Sequence, residues 1–332
     1  MTYLPFSVRK IGEGGCSMIE IFKTVENSKI EKQEQVCKDC WIAMTAPTDH
    51  EIKEISRTCK IEEDVLRAAL DEEERARIEV EDEYTLIIVD IPAVEKEMVD
   101  KQEKDRYITM PLAIISIKDV IITVCLIDTP VLTHIKSGRM KGFYTYKKTR
   151  FILQIFYRVA TLFLHNLRSI NRQSELVEDR LHVSQKNKEL FELLELQKSL
   201  VYFTTSLRSN EGVFEKMLKN EKVKRYPDDE DLLEDVIIEN KQAMEMANIY
   251  SGILGGMVDT FASVISNNLN IVMKFLATVT IVMAIPTMVA SFYGMNVPLP
   301  GSNHPFGFYI VLGFALLLAA IVAFIFHKKD LF

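Results

Sequence analysis

Tyr293-Gly294-Met295-Asn296 lies between two uncharged apolar runs near the C-terminus of the chain. The first run covers residues 275–292 and the second covers residues 306–326. A helix that crosses a lipid bilayer needs roughly 17–25 predominantly apolar residues, and both runs have this length. The pattern therefore predicts a C-terminal hairpin of two transmembrane helices, with Gly-Met-Asn at the turn between them.

Charged residues flank this hairpin on one side only. Lys274 precedes the first run, and Lys328 and Lys329 follow the second, whereas the connection over 297–305 contains no Lys or Arg. Positive charge is enriched on the cytoplasmic side of membrane proteins. We therefore expect both ends of the chain in the cytoplasm, with an external loop over 293–305 and a basic cytoplasmic tail over 327–332.

One face of the first span carries small and polar residues. Steps of three and four residues, the spacing of helices that pack around a shared axis, define a line that we call the polar stripe. Its members are Ser291, Thr287, Ala284, Thr280, Ala277, Met273, Asn270, Ser266, Ser263 and Asp259. Small residues let helices approach closely in lipid, so a plain helix-helix interface is one interpretation. The other is a pore lined by a symmetric ring of such helices, because Asp259, Asn270 and Asn296 suit hydrated cations better than dry packing.

The turn and its surroundings resemble the CorA family of magnesium transporters. The resemblance is carried by Tyr293-Gly294-Met295-Asn296, by Asn270-Ile271-Val272-Met273-Lys274 before the first span, and by the second span with its basic tail. It is clear from about residue 228 to the end, and the position of Gly-Met-Asn between the two spans makes it specific. The chain departs from some family members in having no acidic residue over 297–305.

This resemblance implies a homopentamer in the cell membrane that takes up divalent cations, with Mg²⁺ as both transported ion and regulatory ligand and with no organic cofactor. It places a selectivity filter at Gly294, Met295 and Asn296, and a hydrophobic constriction at Met273 and Leu276. The residues expected to line the pore are Asp259, Ser266, Asn270, Met273, Leu276, Thr280, Ala284, Thr287 and Ser291.

The resemblance also implies a regulatory Mg²⁺ site between neighbouring cytoplasmic domains. Glu234-Asp235-Val236 resembles one side of that site and Glu63-Asp64-Val65-Leu66 resembles the other. Carboxylates are suitable ligands for Mg²⁺, usually through water. A solvated acidic surface is the alternative explanation for Asp64 and Asp235.

Two further alternatives remain open at the level of the sequence. Co²⁺, Ni²⁺ or Zn²⁺ could replace Mg²⁺ as the transported ion. A membrane-anchored coiled-coil scaffold or receptor without transport is the alternative from a different class of protein.

Composition narrows the class of protein. The chain has 332 residues, of which 48% are hydrophobic, and a formal net charge of −7. This acidity argues against a nucleic-acid partner, since such partners are bound by clustered positive charge. The sequence shows no nucleophile elbow or catalytic His cluster, and Gly12-Glu13-Gly14-Gly15 lacks the Lys-Ser/Thr of a phosphate-binding loop, so we do not expect an enzyme. No secretory signal is evident, so we expect the large domain in the cytoplasm.

The five cysteines are expected to be free thiols, because their number is odd and the cytoplasm is reducing. Cys37-Lys38-Asp39-Cys40 has CxxC spacing. No second CxxC or paired His completes a tetrahedral zinc site.

The remaining pattern predicts an α+β cytoplasmic domain over 1–145, with a small sheet and helices against it. Strands are expected at 18–25, 41–45, 77–80, 84–91, 108–117 and 120–126, and helices from Thr48 or Asp49 and over 62–70. A helical region follows over 146–227, with a break near Ser209-Asn210-Glu211-Gly212.

A single long helix is expected over 228–292, including the first span at 275–292 and reaching roughly 100 Å at 1.5 Å per residue. Pro227 and the carboxylates after it suit a first helical turn. Pro286, inside this helix, either kinks it or is tolerated there.

Overall fold

The fold was examined in a computed structural model of the chain. The structure describes residues 18–25, 29–99, 102–138, 143–184, 187–219, 227–295 and 306–329. The chain divides into two compact units, Met1–Met257 and Val258–Phe332, which are described separately.

The first unit is built on one mixed sheet of seven strands in the order β2-β1-β3-β7-β6-β5-β4. The strands are β1 Met18–Thr24, β2 Ile30–Gln33, β3 Cys40–Thr45, β4 Arg77–Val80, β5 Tyr84–Val99, β6 Gln102–Ile117 and β7 Val120–Cys125. Among these strands only β3 and β7 pair in parallel, with Cys40 opposite Val120 and Thr45 opposite Cys125. Two antiparallel blocks are therefore joined along one parallel seam.

β5 and β6 form a hairpin much longer than predicted. Their pairing runs from Tyr84 opposite Ile117 to Val99 opposite Gln102, whereas strands were expected only over 84–91 and 108–117. The polar sequence between those ranges was wrongly interpreted as connecting turns. Lys104 of β6 donates a hydrogen bond to Glu192, so charged side chains hold this part of the hairpin where apolar burial does not.

Helices cover one face of the sheet through a buried aliphatic cluster. α1 Asp49–Cys59 and α2 Glu63–Arg67, followed by a 3₁₀ turn over Ala68–Leu70, place Ile52, Ile55 and Leu66 against sheet residues. Of the two predicted caps, Thr48 and Asp49, the structure uses Thr48: the Glu51 N–H donates to Thr48 Oγ1, and Glu51 accepts from the Thr48 N–H at 2.8 Å. A further helix, α3 Pro130–Lys136, was not predicted.

Aromatic side chains cover the other face. α4 Lys148–Ser184 and α5 Asn187–Lys219 carry Phe151, Phe163 and Phe203, all fully buried. The ring centroids of Phe151 and Trp41 are 5.3 Å apart, and the Trp41 indole donates to Thr123 Oγ1 at 2.9 Å. The sheet is thus sandwiched between helical layers, which confirms the predicted α+β class, with a sheet larger than expected.

α5 is continuous through Ser209-Asn210-Glu211-Gly212, so the predicted break is wrong. Tertiary contacts override the weak local helix preference of this segment. Asn210 is fully buried and bonded to the sheet, and Val213 and Phe214 after it are buried too.

The long helix is α6 Pro227–Tyr293, which differs from the predicted 228–292 by one residue at each end. Its helical assignment continues through Pro286. After the connection comes α7 Gly307–Lys328, close to the predicted 306–326. Both helices contain an apolar window long enough to cross a membrane, and only 6% and 11% of these windows are buried within the chain.

Candidate functional site

The polar stripe lies along the exposed side of α6. All of its members have exposed side chains in the single chain, as does Leu276. The exposed fractions of Met273 and Leu276 are 58% and 53%. Bulky apolar side chains next to the polar positions are therefore available to a neighbouring molecule or to lipid.

Part of the polar stripe forms a groove on the second unit. The groove has a volume of about 580 Å³ and is lined by Thr280, Met283, Ala284, Thr287, Met288, Ser291, Phe292 and Met295. Five of these residues were predicted pore or filter residues. The other pore candidates, Asp259, Ser266, Asn270, Met273 and Leu276, lie on α6 outside the groove.

Sequence reasoning missed Met283, Met288 and Phe292 as groove residues because it followed the polar and small side chains only. Met283 and Met288 each lie three or four positions from members of the polar stripe, so helical spacing could have identified them, whereas Phe292 directly follows Ser291 and has no such spacing. They add a wide apolar border to the groove.

The threonine hydroxyls of the groove are oriented by the helix itself. Thr280 Oγ1 donates to the Leu276 carbonyl at 2.8 Å, and Thr287 Oγ1 donates to the Met283 carbonyl at 3.1 Å. Since each hydroxyl has one proton and two lone pairs, its oxygen remains able to accept a hydrogen bond. The groove therefore offers acceptor oxygens, which suit the water shell of a cation.

The Gly-Met-Asn motif follows the end of α6. The Gly294 N–H donates to the Ala290 carbonyl at 2.9 Å, and the Met295 N–H donates to the Phe292 carbonyl at 3.3 Å. A Cβ at Gly294 would lie 3.3 Å from the Ala290 oxygen, a tight contact that glycine avoids. Asn296 and the loop after it lie outside the described residues.

A second concave surface separates α6 from α7. This cleft of about 740 Å³ is lined by Pro286, Val289, Tyr293, Phe308 and Val311, among others. Pro286 lines the cleft and not the groove. Its missing N–H leaves the Val282 carbonyl without its usual helical donor.

The two proposed regulatory carboxylates are exposed on different elements of the first unit. Asp64 lies on α2 between the exposed Glu62 and the buried Val65, and Asp235 lies on α6 beside the buried Val236. Within the part of the chain that the structure describes, no three His, Cys, Asp or Glu residues are arranged to hold a metal ion. A metal site at Asp64 and Asp235 therefore needs ligands from beyond one chain, or from water.

Comparison with known proteins gives consistent results. Residues 38–328 match the family model described as CorA-like Mg²⁺ transporter protein. The Cobalt/magnesium transport protein CorA of Methanocaldococcus jannaschii is 26% identical over 299 residues, which cover 87% of this chain and 90% of that protein.

Solved structures show the same fold. The complete structure of the CorA magnesium transporter from Methanocaldococcus jannaschii has a TM-score of 0.79 at 23% identity, covering 93% of this chain and 97% of that one. The full-length CmaX protein has a TM-score of 0.66 at 14% identity, covering 96% and 99%.

Proposed function

The chain belongs to the CorA family of divalent cation transporters, and from that premise we propose that it forms a homopentameric channel through which Mg²⁺ enters the cell. Family membership favours transport over the scaffold alternative. In a transporter, the two helices that are long enough to span the bilayer, α6 and α7, would form the transport path and not only an anchor.

The observation that best supports this proposal is the groove with its oriented hydroxyls. Mg²⁺ sheds its water reluctantly and demands near-ideal octahedral geometry. Acceptor oxygens at Thr280 and Thr287 can bind the hydrogens of that water shell without displacing it. Around a symmetric axis, five such grooves would form a wet lining, with Ala284 leaving room for a hydrated ion.

Ion recognition is assigned in this proposal to the outer end of α6. Five Asn296 side chains would form a ring of amide oxygens wide enough for the hydrated ion. Gly294 allows the close turn at the end of α6, since a side chain there would crowd the Ala290 carbonyl. With Met295, these residues constitute the proposed filter.

Met273 and Leu276 would close the inner part of the path. Both are large, apolar and exposed on the single chain, so a ring of them could exclude water and ions. Ser266, Asn270 and Asp259 would continue the path towards the cytoplasm, where both termini are placed. Inward movement needs no chemical energy, because a doubly charged ion gains about 4.6 kcal/mol per 100 mV of inside-negative potential.

Flux measurements test this function. Proteoliposomes holding the natural chain should take up Mg²⁺ under an inside-negative potential, and Asn296→Ala should reduce uptake by about tenfold or more because the ring loses its amide oxygens. Thr287→Val, which keeps the shape and removes the acceptor, should reduce uptake less. Co²⁺, Ni²⁺ and Zn²⁺ are compared in the same assay.

A matched control is Thr205→Val. Thr205 Oγ1 donates to the Val201 carbonyl at 2.9 Å, the same intrahelical bond as in the groove, but on α5. Uptake should be unaffected by this change. Unaltered uptake in Asn296→Ala would contradict the filter, and absence of uptake of any of these ions by folded oligomers would contradict the function.

Closure by cytoplasmic Mg²⁺ is the proposed regulation, with Asp64 and Asp235 as ligands from neighbouring chains. Asp235→Ala should raise the internal Mg²⁺ concentration needed to inhibit uptake by about fivefold or more, because one ligand of the closed state is lost. Asp231→Ala, one turn earlier on the exposed side of α6, is the control. Equal inhibition of both variants and the natural chain would exclude Asp235 from the site.

A further inference from the structure

Cys37 and Cys40 stand at the two ends of a tight turn that leads into β3. The Cys40 N–H donates to the Cys37 carbonyl at 3.3 Å, and Asp39 between them has a left-handed backbone with φ of 61°. A four-residue turn closed in this way holds its terminal Cα atoms within about 7 Å. A disulfide bond needs a Cα separation of about 4.4–6.8 Å. The backbone is therefore shaped for a bond between these residues.

The side chains are close as well. The Cys37 and Cys40 side chains interact with each other, and neither is in a disulfide bond. Cys40 is fully buried, whereas Cys37 is only half-buried where it packs against the edge of the aliphatic cluster, so it is the more exposed of the two. Cys59, at the end of α1, packs against the same aliphatic cluster, and Cys125 lies at the opposite end of the β3–β7 seam.

We propose that Cys37 and Cys40 form a redox-active dithiol that closes to a disulfide by exchange with a small-molecule disulfide. Cys37, the more exposed thiol, attacks one sulfur of the reagent as a thiolate and releases the other half as a thiol. Cys40 then loses its proton and displaces the second half from Cys37. The protein gives up two protons and two electrons, and the reagent disulfide is reduced to two thiols.

Two other roles fit the geometry less well. A metal site would need more ligands, and the described residues contain no group of three or more metal-binding side chains suitably arranged. A stabilising crosslink is also disfavoured, because a disulfide that closes so short a loop removes little entropy from the unfolded chain. A dithiol that opens and closes reversibly needs neither additional metal ligands nor a long closed loop.

Burial makes the second step slow. Desolvation raises the pKa of Cys40 to about 12; a hydrogen bond with the Cys37 backbone acts in the opposite direction, and the neighbouring Cys37 and Cys59 thiols raise the pKa. Because the thiolate is the nucleophile, very little of Cys40 is reactive near neutral pH. A mixed disulfide on Cys37 should therefore accumulate first, and its closure should become about tenfold faster for each unit of rising pH.

Peptide mapping of the full-length chain in detergent tests the proposal. Oxidised glutathione is the reagent, remaining thiols are alkylated, and trypsin is used because cleavage after Lys32, Lys38 and Lys53 separates the two cysteines. The expected product is peptide 33–38 joined to peptide 39–53, which dithiothreitol separates again. Cys59 lies in its own peptide, 58–60, so every pairing among the three thiols is distinguishable.

Variants complete the test. Cys37→Ser should abolish the joined product, and Cys59→Ser should leave it intact, with intrinsic fluorescence of the buried Trp41 confirming that both are folded. Two persistent glutathione adducts without a joined product would overturn the proposal, as would a joined product of 39–53 with 58–60. Stoichiometric zinc that protects these thiols from alkylation would also overturn it.

Discussion

One carboxylate, that of Asp90, lies where α5 packs on the sheet. Asp90, in the middle of β5, is partly buried, and desolvation raises its pKa to about 6 although Ser206 offers a hydrogen bond that acts in the opposite direction. Ser206 also donates to Thr109 Oγ1 at 3.1 Å, so the hydroxyl is shared. Folding therefore favours the protonated form of Asp90 more than the unfolded chain does.

The pH dependence of stability follows from this raised pKa. Ionisation of Asp90 begins near pH 4 in the unfolded chain and near pH 6 in the folded one, so stability falls across this window and stays low above it. Asp90→Asn should remove the fall and increase the free energy of unfolding at pH 7 by up to about 3 kcal/mol. The measurement is denaturation followed by fluorescence of Trp41, the only tryptophan.

Asp179→Asn, an exposed position on α4, is the control and should leave the pH profile unchanged. If the free energy of unfolding of Asp90→Asn depended on pH as it does in the natural chain, ionisation of Asp90 would not destabilise the fold.

At the scale of elements, the Asn210 side chain makes the hydrogen bonds to β5 that a neighbouring strand would make beyond the end of β4. β4 pairs with β5 only as far as Ile88, and the residue opposite Asp90 on β6 is Pro111, which has no N–H to donate. Asn210 of α5 supplies both partners: its Oδ1 accepts from the Asp90 N–H and its Nδ2 donates to the Asp90 carbonyl, each at 2.8 Å. A helix thereby completes the hydrogen bonding of a strand.

Asn210→Ala should be strongly destabilising because it leaves a backbone donor and a backbone acceptor without partners under α5. The expected loss is about 2–4 kcal/mol in the free energy of unfolding, again followed through Trp41. Asn248→Ala on the exposed side of α6 is the matched control. If both variants lost a similar amount of unfolding free energy, the hydrogen bonds between Asn210 and Asp90 would not be the cause of the loss.

These particular elements show what could be predicted from sequence. α6 was predicted within one residue at each end because proline and carboxylates mark its start and an uninterrupted apolar run marks its end. β4 was predicted at its observed bounds. The long arms of β5 and β6 and the continuity of α5 were not, since cross-strand pairing and the contacts of Asn210 join residues far apart in sequence.

The candidate site was only partly predictable for a similar reason. Helical spacing brought Thr280, Ala284, Thr287 and Ser291 together, and they share one groove. The direction of the threonine protons depends on local geometry that spacing does not give. The pore, the filter and the regulatory site stay predictions.

At the scale of the whole molecule, the single chain leaves many apolar side chains uncovered. Within the first unit, Ile238, Ile249 and Ile253 of α6 are 60%, 59% and 44% exposed. All three residues precede the predicted span at 275–292, so lipid is not expected to cover them. In the proposed pentamer, neighbouring copies of α6 would cover these three isoleucines.

Ile249→Asp should therefore weaken assembly, because a charge would be buried between chains. Native mass spectrometry from detergent should show pentamers for the natural chain and smaller species for the variant. Ile249→Val, which keeps the contact apolar, should preserve the pentamer. Pentamers of undiminished stability in Ile249→Asp would place this residue outside the interface.

The parallel seam of the sheet has a consequence for the order in which the chain is made. β3 is complete at Thr45, but its parallel neighbour β7 does not begin until Val120, so a growing chain must wait for the whole β4–β6 block before the two halves can join. Until then Trp41 has neither Thr123 nor Phe151 beside it. The first three strands thus leave the ribosome with one edge of β3 unpaired and with Trp41 stacked only on Phe22, so this apolar surface stays exposed until the second half of the sheet is made.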